Sequence, residues 1–268
     1  MKDVQSKPSY NASGHSFSGY FGGKSQLARS IIEMMPEHIT YAEVFGGAGW
    51  VLFKKTPSKV ELINDVNGDL VSLYRVVKYH FEAFLIEFES QLVSRDEYDR
   101  LKQTPSHLLT DIQRAARFYY LLRLSYGAMI DKQNFTSGIQ RTTRLKLGKA
   151  LREHLMSVHE RLQQVTIENQ DFGRFIQRVD SPSTLFYIDP PYYGCETDYG
   201  KNVFGRDDFV RLREQLKTIQ GKFILSLNDL PQVRELFGCF NLIEKEVRWS
   251  VRGCSSDSKD KEVLITNF

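Results

Sequence analysis

Two runs of alternating strands and helices, separated by a stretch without strands, constrain this chain more than any other feature. Tyr41-Ala42-Glu43-Val44-Phe45 is a short apolar run that enters Gly46-Gly47-Ala48-Gly49, the pattern of a buried strand turning into a helix. Val60 to Asp65 reads as a second strand ending in an acid, and Leu70 to Tyr79 as a helix. The rhythm resumes late in the chain. Val165 to Glu168, Leu185 to Ile188 and Phe223 to Leu227 read as strands, with helices over Phe172 to Val179, Asp208 to Ile219 and Pro231 to Phe237. Such alternation predicts a mostly parallel sheet covered on both faces. Leu242 to Trp249 and Val263 to Thr266 have no helix between them, so an antiparallel last strand is expected.

The stretch between the two runs is helical. Glu82 to Leu101, Ile112 to Leu124 and Leu147 to Leu162 carry helical spacing, and a looser Gly-containing piece lies from Tyr126 to Arg144. The expected organisation is therefore one α/β domain made of residues 1–81 and 161–268, with a helical insert over 82–160. Residues 1 to about 18 are rich in Ser, Gly and Asn and read as a flexible arm.

Charge follows the same division. The net charge of the 268 residues is only +3, yet Arg100 to Arg152 holds 11 Lys and Arg against two acids, a local net of +9. The remainder carries −6. A basic segment inside a mildly acidic frame points to an anionic partner for the insert. Apolar residues at 41% and charged residues at 26% are ordinary for a globular chain and exclude disordered and fibrous classes. The three cysteines, Cys195, Cys239 and Cys254, have no metal-ligand spacing, and reduced thiols are expected. The polar N-terminus lacks the apolar core of a signal peptide, and no window approaches the roughly 18 apolar residues of a membrane helix. A soluble, cytoplasmic protein that does not bind membranes is the expectation.

Three motifs carry chemistry. Glycines between a strand and a helix, at Gly46, Gly47 and Gly49, let a ligand approach the backbone. Asp65, at the end of the next strand, is placed to bind the two hydroxyls of a ribose, as nicotinamide and adenosyl cofactors both require. A strict GxGxxG fails, because a frame starting at Gly47 puts Leu52 last. Gly22-Gly23-Lys24-Ser25 resembles the end of a P-loop, but Ser18 stands where that loop needs glycine, so ATP is not expected there. Lys24 remains able to neutralise a carboxylate.

The third motif is Asp189-Pro190-Pro191-Tyr192, directly after the apolar strand. Two prolines fix the backbone and remove two amide donors, which leaves carbonyls free to accept. A carboxylate, a free carbonyl and an aromatic ring then converge at a strand's carboxyl end, where open α/β sheets bind ligands. That set suits a planar group bearing an amine. Asp189 and the Pro190 carbonyl accept its two N–H bonds, and Tyr192 stacks on its ring.

These residues resemble the Dam-like DNA adenine methyltransferases, which use S-adenosylmethionine. GYFGGKSQLA, AEVFGGAGWVLF, ELINDVNGDLVSLYRVVK, IENQDF and FYIDPPY stand in that family's order, and the basic insert falls where the family reads its target. The resemblance implies a Rossmann-like methyltransferase sheet with a helical target-recognition insert. It implies cofactor contacts from Tyr20 and Lys24, a cofactor turn of Glu43, Phe45, Gly47 and Gly49, and ribose binding by Asp65. Asp171 would accept from the cofactor's adenine amine and Phe172 would pack on its ring. Asp189, Pro190, Pro191 and Tyr192 would be catalytic. Tyr20 stands where family members often have Trp, and Gly46 loosens the glycine turn.

In the insert, Arg141, Arg144, Lys146 and Lys149 suit phosphate contacts, and Asn134, in the looser piece, suits base reading. A target amine inside a duplex must be rotated out of the stack, with Tyr193, Phe204 and Trp249 as candidate walls for the slot. The implied reaction is direct transfer of a methyl group from S-adenosylmethionine to the 6-amino group of adenine in double-stranded DNA, with no metal. A monomer of bacterial or phage origin is expected. The rivals are cytosine 4-amino methylation, which usually carries Ser at the Asp189 position, an RNA adenine substrate, and an inactive DNA-binding homologue. Cytosine 5-methylation is excluded, because none of the eight prolines precedes a cysteine.

Overall fold

The computed structural model describes residues 7–17, 24, 27–125, 135, 145–196, 204–246 and 261–268. Seven strands form one sheet: β1 (Thr40–Glu43), β2 (Val60–Asn64), β3 (Val165–Glu168), β4 (Thr184–Ile188), β5 (Lys222–Asn228), β6 (Asn241–Glu246) and β7 (Lys261–Thr266). Their order is β3-β2-β1-β4-β5-β7-β6. β1 pairs in parallel with β2 and β4, β2 with β3, and β4 with β5. β7 is antiparallel to both β5 and β6. The mostly parallel α/β sheet with an antiparallel last strand is as expected. The position of β7, between β5 and the strand that precedes it in sequence, has no signature in the apolar pattern.

The central strands are apolar because both faces are covered. All five residues of β4 are buried, as are the five central residues of β5. On one face, α1 (Ala28–Met34), α2 (Trp50–Lys54) and α3 (Gly68–Tyr79) pack with Tyr41, Ile63, Leu185, Tyr187, Ile224 and Leu264. On the other, α8 (Phe172–Val179), α9 (Arg206–Leu216) and α10 (Pro231–Phe237) pack with Ala42, Phe186, Leu225 and Ile265. Alternate residues along each strand thus feed opposite cores, as the two-residue period of a strand demands.

The middle of the chain forms α4 (Phe81–Ile86), α5 (Arg95–Gln103), a single 3-10 turn (Ser106–Leu108), α6 (Asp111–Leu124) and α7 (Gly148–Leu162). The helical stretch expected over 82–101 is interrupted, because the Ser94 side chain accepts from the Glu97 amide and starts a new helix. α6 lies against α3, and α7 lies against α3 and β3. Phe118, Leu121, Leu151, Leu155 and Leu162 join the same buried cluster as the first-face residues. Among the described residues no helix is long and apolar enough to cross a membrane, and no group of His, Cys, Asp or Glu is arranged to hold a metal ion.

Candidate active site at the carboxyl edge of the sheet

The glycine turn follows β1 and leads into α2. Gly47 and Gly49 take positive φ values of 46° and 64°, which L side chains rarely adopt. A methyl group on Gly49 would stand 2.8 Å from the Tyr74 hydroxyl, so the tight turn also needs the missing side chain. Tyr74, from α3, donates to the Gly47 carbonyl at 2.9 Å and ties helix to turn. Gly46 is packed as well: a Cβ there would meet Ile63 Cγ1 at 2.8 Å.

Asp65 follows β2 and faces that turn. Its carboxylate accepts from the Gly47 amide at 2.9 Å and from the Asn67 amide at 2.8 Å. Burial pushes its pKa up, against the pull of those amides. The Val66 amide acts on it as well, and what remains of the roughly four lone-pair sites of a carboxylate is open to a ribose hydroxyl. Glu43, the last residue of β1, is buried below the turn and accepts from the Tyr41 hydroxyl at 2.8 Å and the Leu52 amide at 3.1 Å. Burial outweighs these bonds and lifts its pKa to about 8.

The ends of β1, β2 and β3 are tied by one side chain. Asn64 Nδ2 donates to the Val44 carbonyl at 3.0 Å and the Gln170 carbonyl at 3.1 Å, while its Oδ1 accepts from the Gln170 amide at 2.9 Å. That knot sets the start of α8. Asp171 caps this helix by accepting from Gly173 and Arg174, and it receives Arg211 of α9 on both oxygens at 3.1 and 2.8 Å. Burial raises the Asp171 pKa, but Arg211 outweighs it and the net shift is downward. The Arg211 guanidinium also lies 4.0 Å from the Phe172 ring centre. Phe172 stands 5.5 Å from Phe45 and 5.7 Å from Phe204, so the three rings make an aromatic patch beside the glycine turn. Phe204, expected near a target slot, is placed in this patch, and Tyr193 packs on Phe209 at 5.2 Å.

Asp189 to Tyr192 extend from β4, next to β1. Lys24 is buried there and binds Asp189 Oδ1 at 2.9 Å, the Tyr192 hydroxyl at 2.6 Å and Glu262 Oε1 at 3.1 Å. The Tyr192 hydroxyl also donates to Glu262. Burial pushes the Asp189 carboxyl up and Lys24 restrains it. Beyond the prolines, the Asn228 side chain at the end of β5 grips Tyr193 twice: it accepts from the amide at 3.0 Å and donates to the carbonyl at 2.9 Å. The loop that bears Tyr192 is thus held from both sides.

Glu262, Asn228, Asn64 and Arg211 were not among the residues singled out from the sequence. Glu262 sits in a short apolar strand whose register was unknown, and only the antiparallel entry of β7 brings it beside Asn228. Of the other sequence candidates, Lys146 and Lys149 are exposed on and before α7, and Lys149 lies 3.6 Å from Glu153. Tyr20, Asn134, Arg141, Arg144 and Trp249 lie outside the described residues. Cys239 is a free, exposed thiol, whereas Cys195 is disulfide-bonded, so the expectation of reduced thiols does not hold at Cys195.

Residues 20–251 match a family model described as the D12 class of N6 adenine-specific DNA methyltransferases. The chain is 28% identical to the type II methyltransferase M1.LlaDCHI of Lactococcus lactis subsp. cremoris, over 94% of this chain and 95% of that one. It is also 28% identical to the type II methyltransferase M.MjaIII of Methanocaldococcus jannaschii, over 94% and 98%. A DNA adenine methylase of Salmonella typhi is 24% identical over 94% of both chains.

Proposed function

The chain belongs to the D12 class of N6 adenine-specific DNA methyltransferases, and on that premise we propose that its methyl donor is S-adenosylmethionine and that Asp189 to Tyr192 present the target amine to it. The observation that carries this reading is the convergence of Asp189, Tyr192 and Lys24 at the carboxyl edge of β4, beside the glycine turn. The residues present fit the donor. Asp65 faces the glycine turn where a ribose hydroxyl would lie, and the half-buried Phe45, packed on Phe172, offers an aromatic edge for an adenine ring. When bound, the donor supplies an activated methyl on a sulfonium, whose departure as a neutral thioether needs no metal.

The chain's own groups do the rest. Asp189 and the Pro190 carbonyl accept the two N–H bonds of adenine N6, which draws them out of the ring plane and frees the nitrogen lone pair; one of the two protons then leaves through Asp189 to solvent as the methyl arrives. Tyr192 stacks on the base, its hydroxyl held by Lys24 and Glu262. The base must leave the duplex to reach this slot. Residues 82–160 are assigned to target recognition, with Lys146 and Lys149 on phosphates, and 1–81 with 161–268 to catalysis. A monomer acting on duplex DNA in a bacterial or phage-infected cytoplasm goes with this reading.

The test is a digest. Labelled S-adenosylmethionine and unmethylated duplex DNA are incubated with the protein, then reduced to nucleosides. Label in 6-methyladenosine is expected; label in 4-methylcytosine, or none, overturns the proposal. Asp189→Ala should lower turnover by at least about a hundred-fold, the worth of an acceptor used in the transition state. Donor affinity should stay close to that of the parent protein, and joint loss of both would remove the role given to Asp189.

A further inference from the structure

We infer that Glu262 is a positioning residue for methyl transfer, holding Tyr192 in place and dividing the Lys24 ammonium between itself and Asp189. The inference rests on the role proposed for Asp189. A glutamate fully buried in a strand is costly unless its oxygens are satisfied. Here both are used. Oε1 takes the Tyr192 hydroxyl and Lys24, and Oε2 takes the Ser226 hydroxyl at 3.0 Å. Two of these three partners belong to the site at Asp189. The acid therefore serves that site as well as the sheet.

The groups facing Glu262 come from every neighbouring element. Lys24 and Tyr192 touch it directly, Asp189 and Tyr187 act on it or feel it through space, and Ser226 comes from β5. Asn228 of β5 and Lys245 of β6 stand opposite it in register. Burial lifts the Glu262 pKa to about 7, Lys24 opposes the rise and Asp189 adds to it.

The consequence is a choice for one ammonium between two carboxylates. With Glu262 ionised, Lys24 is shared and Asp189 keeps more of its acceptor strength for the target amine. With Glu262 protonated, the ammonium leans further toward Asp189 and weakens it as an acceptor. Turnover therefore rises with pH as Glu262 ionises. In kcat/KM for the methyl donor, which reports groups of the free enzyme, the rise is centred near 7.

Glu262→Gln keeps the shape and the hydrogen bond to Tyr192 but cannot ionise. The expected result is a kcat about ten-fold lower or more at pH 8, the worth of one hydrogen bond to a charged group. Donor dissociation constant should change by less than about three-fold, and the rise near neutral pH should vanish. A parental kcat with the rise retained, or equal losses in kcat and donor affinity, overturns the inference. If Glu262→Gln fails to melt cooperatively, Ser226→Ala decides. It removes one donor to the carboxylate and should move the rise to higher pH; an unmoved midpoint overturns the inference. An active Asp189→Ala would instead defeat the underlying site reading, whereas an inactive Asp189→Ala beside an unaffected Glu262→Gln defeats only the role of Glu262.

Discussion

At the scale of single residues, the site is dominated by acids removed from water. Glu43 has a folded pKa of about 8 and Glu262 of about 7, both above the ordinary value of 4.5. A raised carboxyl contributes stability that is complete below its unfolded pKa and is lost as pH climbs through its folded one. Two histidines, His38 and His154, are shifted downward, chiefly by burial, so their effect is spent once the pH exceeds about 6.5. Between pH 6.5 and 8 the donor-free protein should therefore lose stability as Glu43 and Glu262 ionise. Thermal melts across that window should show a falling Tm, and Glu43→Gln should flatten the fall. A Tm that rises over the window, or a slope untouched by Glu43→Gln, would show that Glu43 is not held protonated. These residues were legible to different degrees. Glu43, Asp65 and Asp189 end apolar strands, so position alone marked them. Glu262 begins a strand, and nothing in its neighbours distinguishes it from a surface acid at an edge.

At the scale of elements, polar side chains fix the loops that the strands end in. Asn67 starts α3 by accepting from the amides of Asp69 and Leu70, a cap worth about 1 kcal/mol. Asn64 and Asn228 do the same work for non-helical backbone, each satisfying groups on a neighbouring loop. Asn228→Ala should leave the Tyr193 amide and carbonyl without their partner and loosen the loop that carries Tyr192. The cost in stability should be about 1–3 kcal/mol, and kcat should fall more than donor affinity. Denaturant melts and steady-state kinetics check both, and an unchanged kcat would mean the prolines alone hold the loop. Apolar periodicity found the central strands because they are buried on both faces, and it marked the exposed edge strand β6 only by its apolar pair Leu242 and Ile243. It did not find the break before α5, where a serine side chain competes with helix propagation. Nor did it find the partners of β7, because pairing order is set by the packing of the whole sheet.

For the whole molecule, the notable partition is electrostatic. One buried network, Lys55 with Glu61 and Arg161, joins the end of α2 to β2 and α7 at the opposite end of the strands from the site. The exposed cations before and on α7 lie elsewhere, at Lys146 and Lys149. If those lysines meet phosphates, Lys146→Ala with Lys149→Ala should weaken DNA binding alike on all sequences. The slope of log affinity against log salt should shrink by about one per lysine. Fluorescence anisotropy at several salt concentrations measures it, and an unchanged slope would leave the patch a solvated helix face. The charge partition was readable from composition along the chain, whereas Arg152, part of the same basic run, is occupied by Glu82 through two bonds of 2.6 and 2.5 Å. Only three-dimensional proximity shows which cations are free to act.

The seat of β7 between β5 and β6 has a consequence for the order of assembly. Among the described residues β6 pairs with β7 alone. It cannot dock on β5 when it is made, but must wait for a strand that comes later in the chain. Until then β5 is an open edge and Lys24 lacks the Glu262 carboxylate. Closure of the sheet thus also completes the reactive centre, so a chain with only its parallel strands in place should turn over more slowly than the native protein.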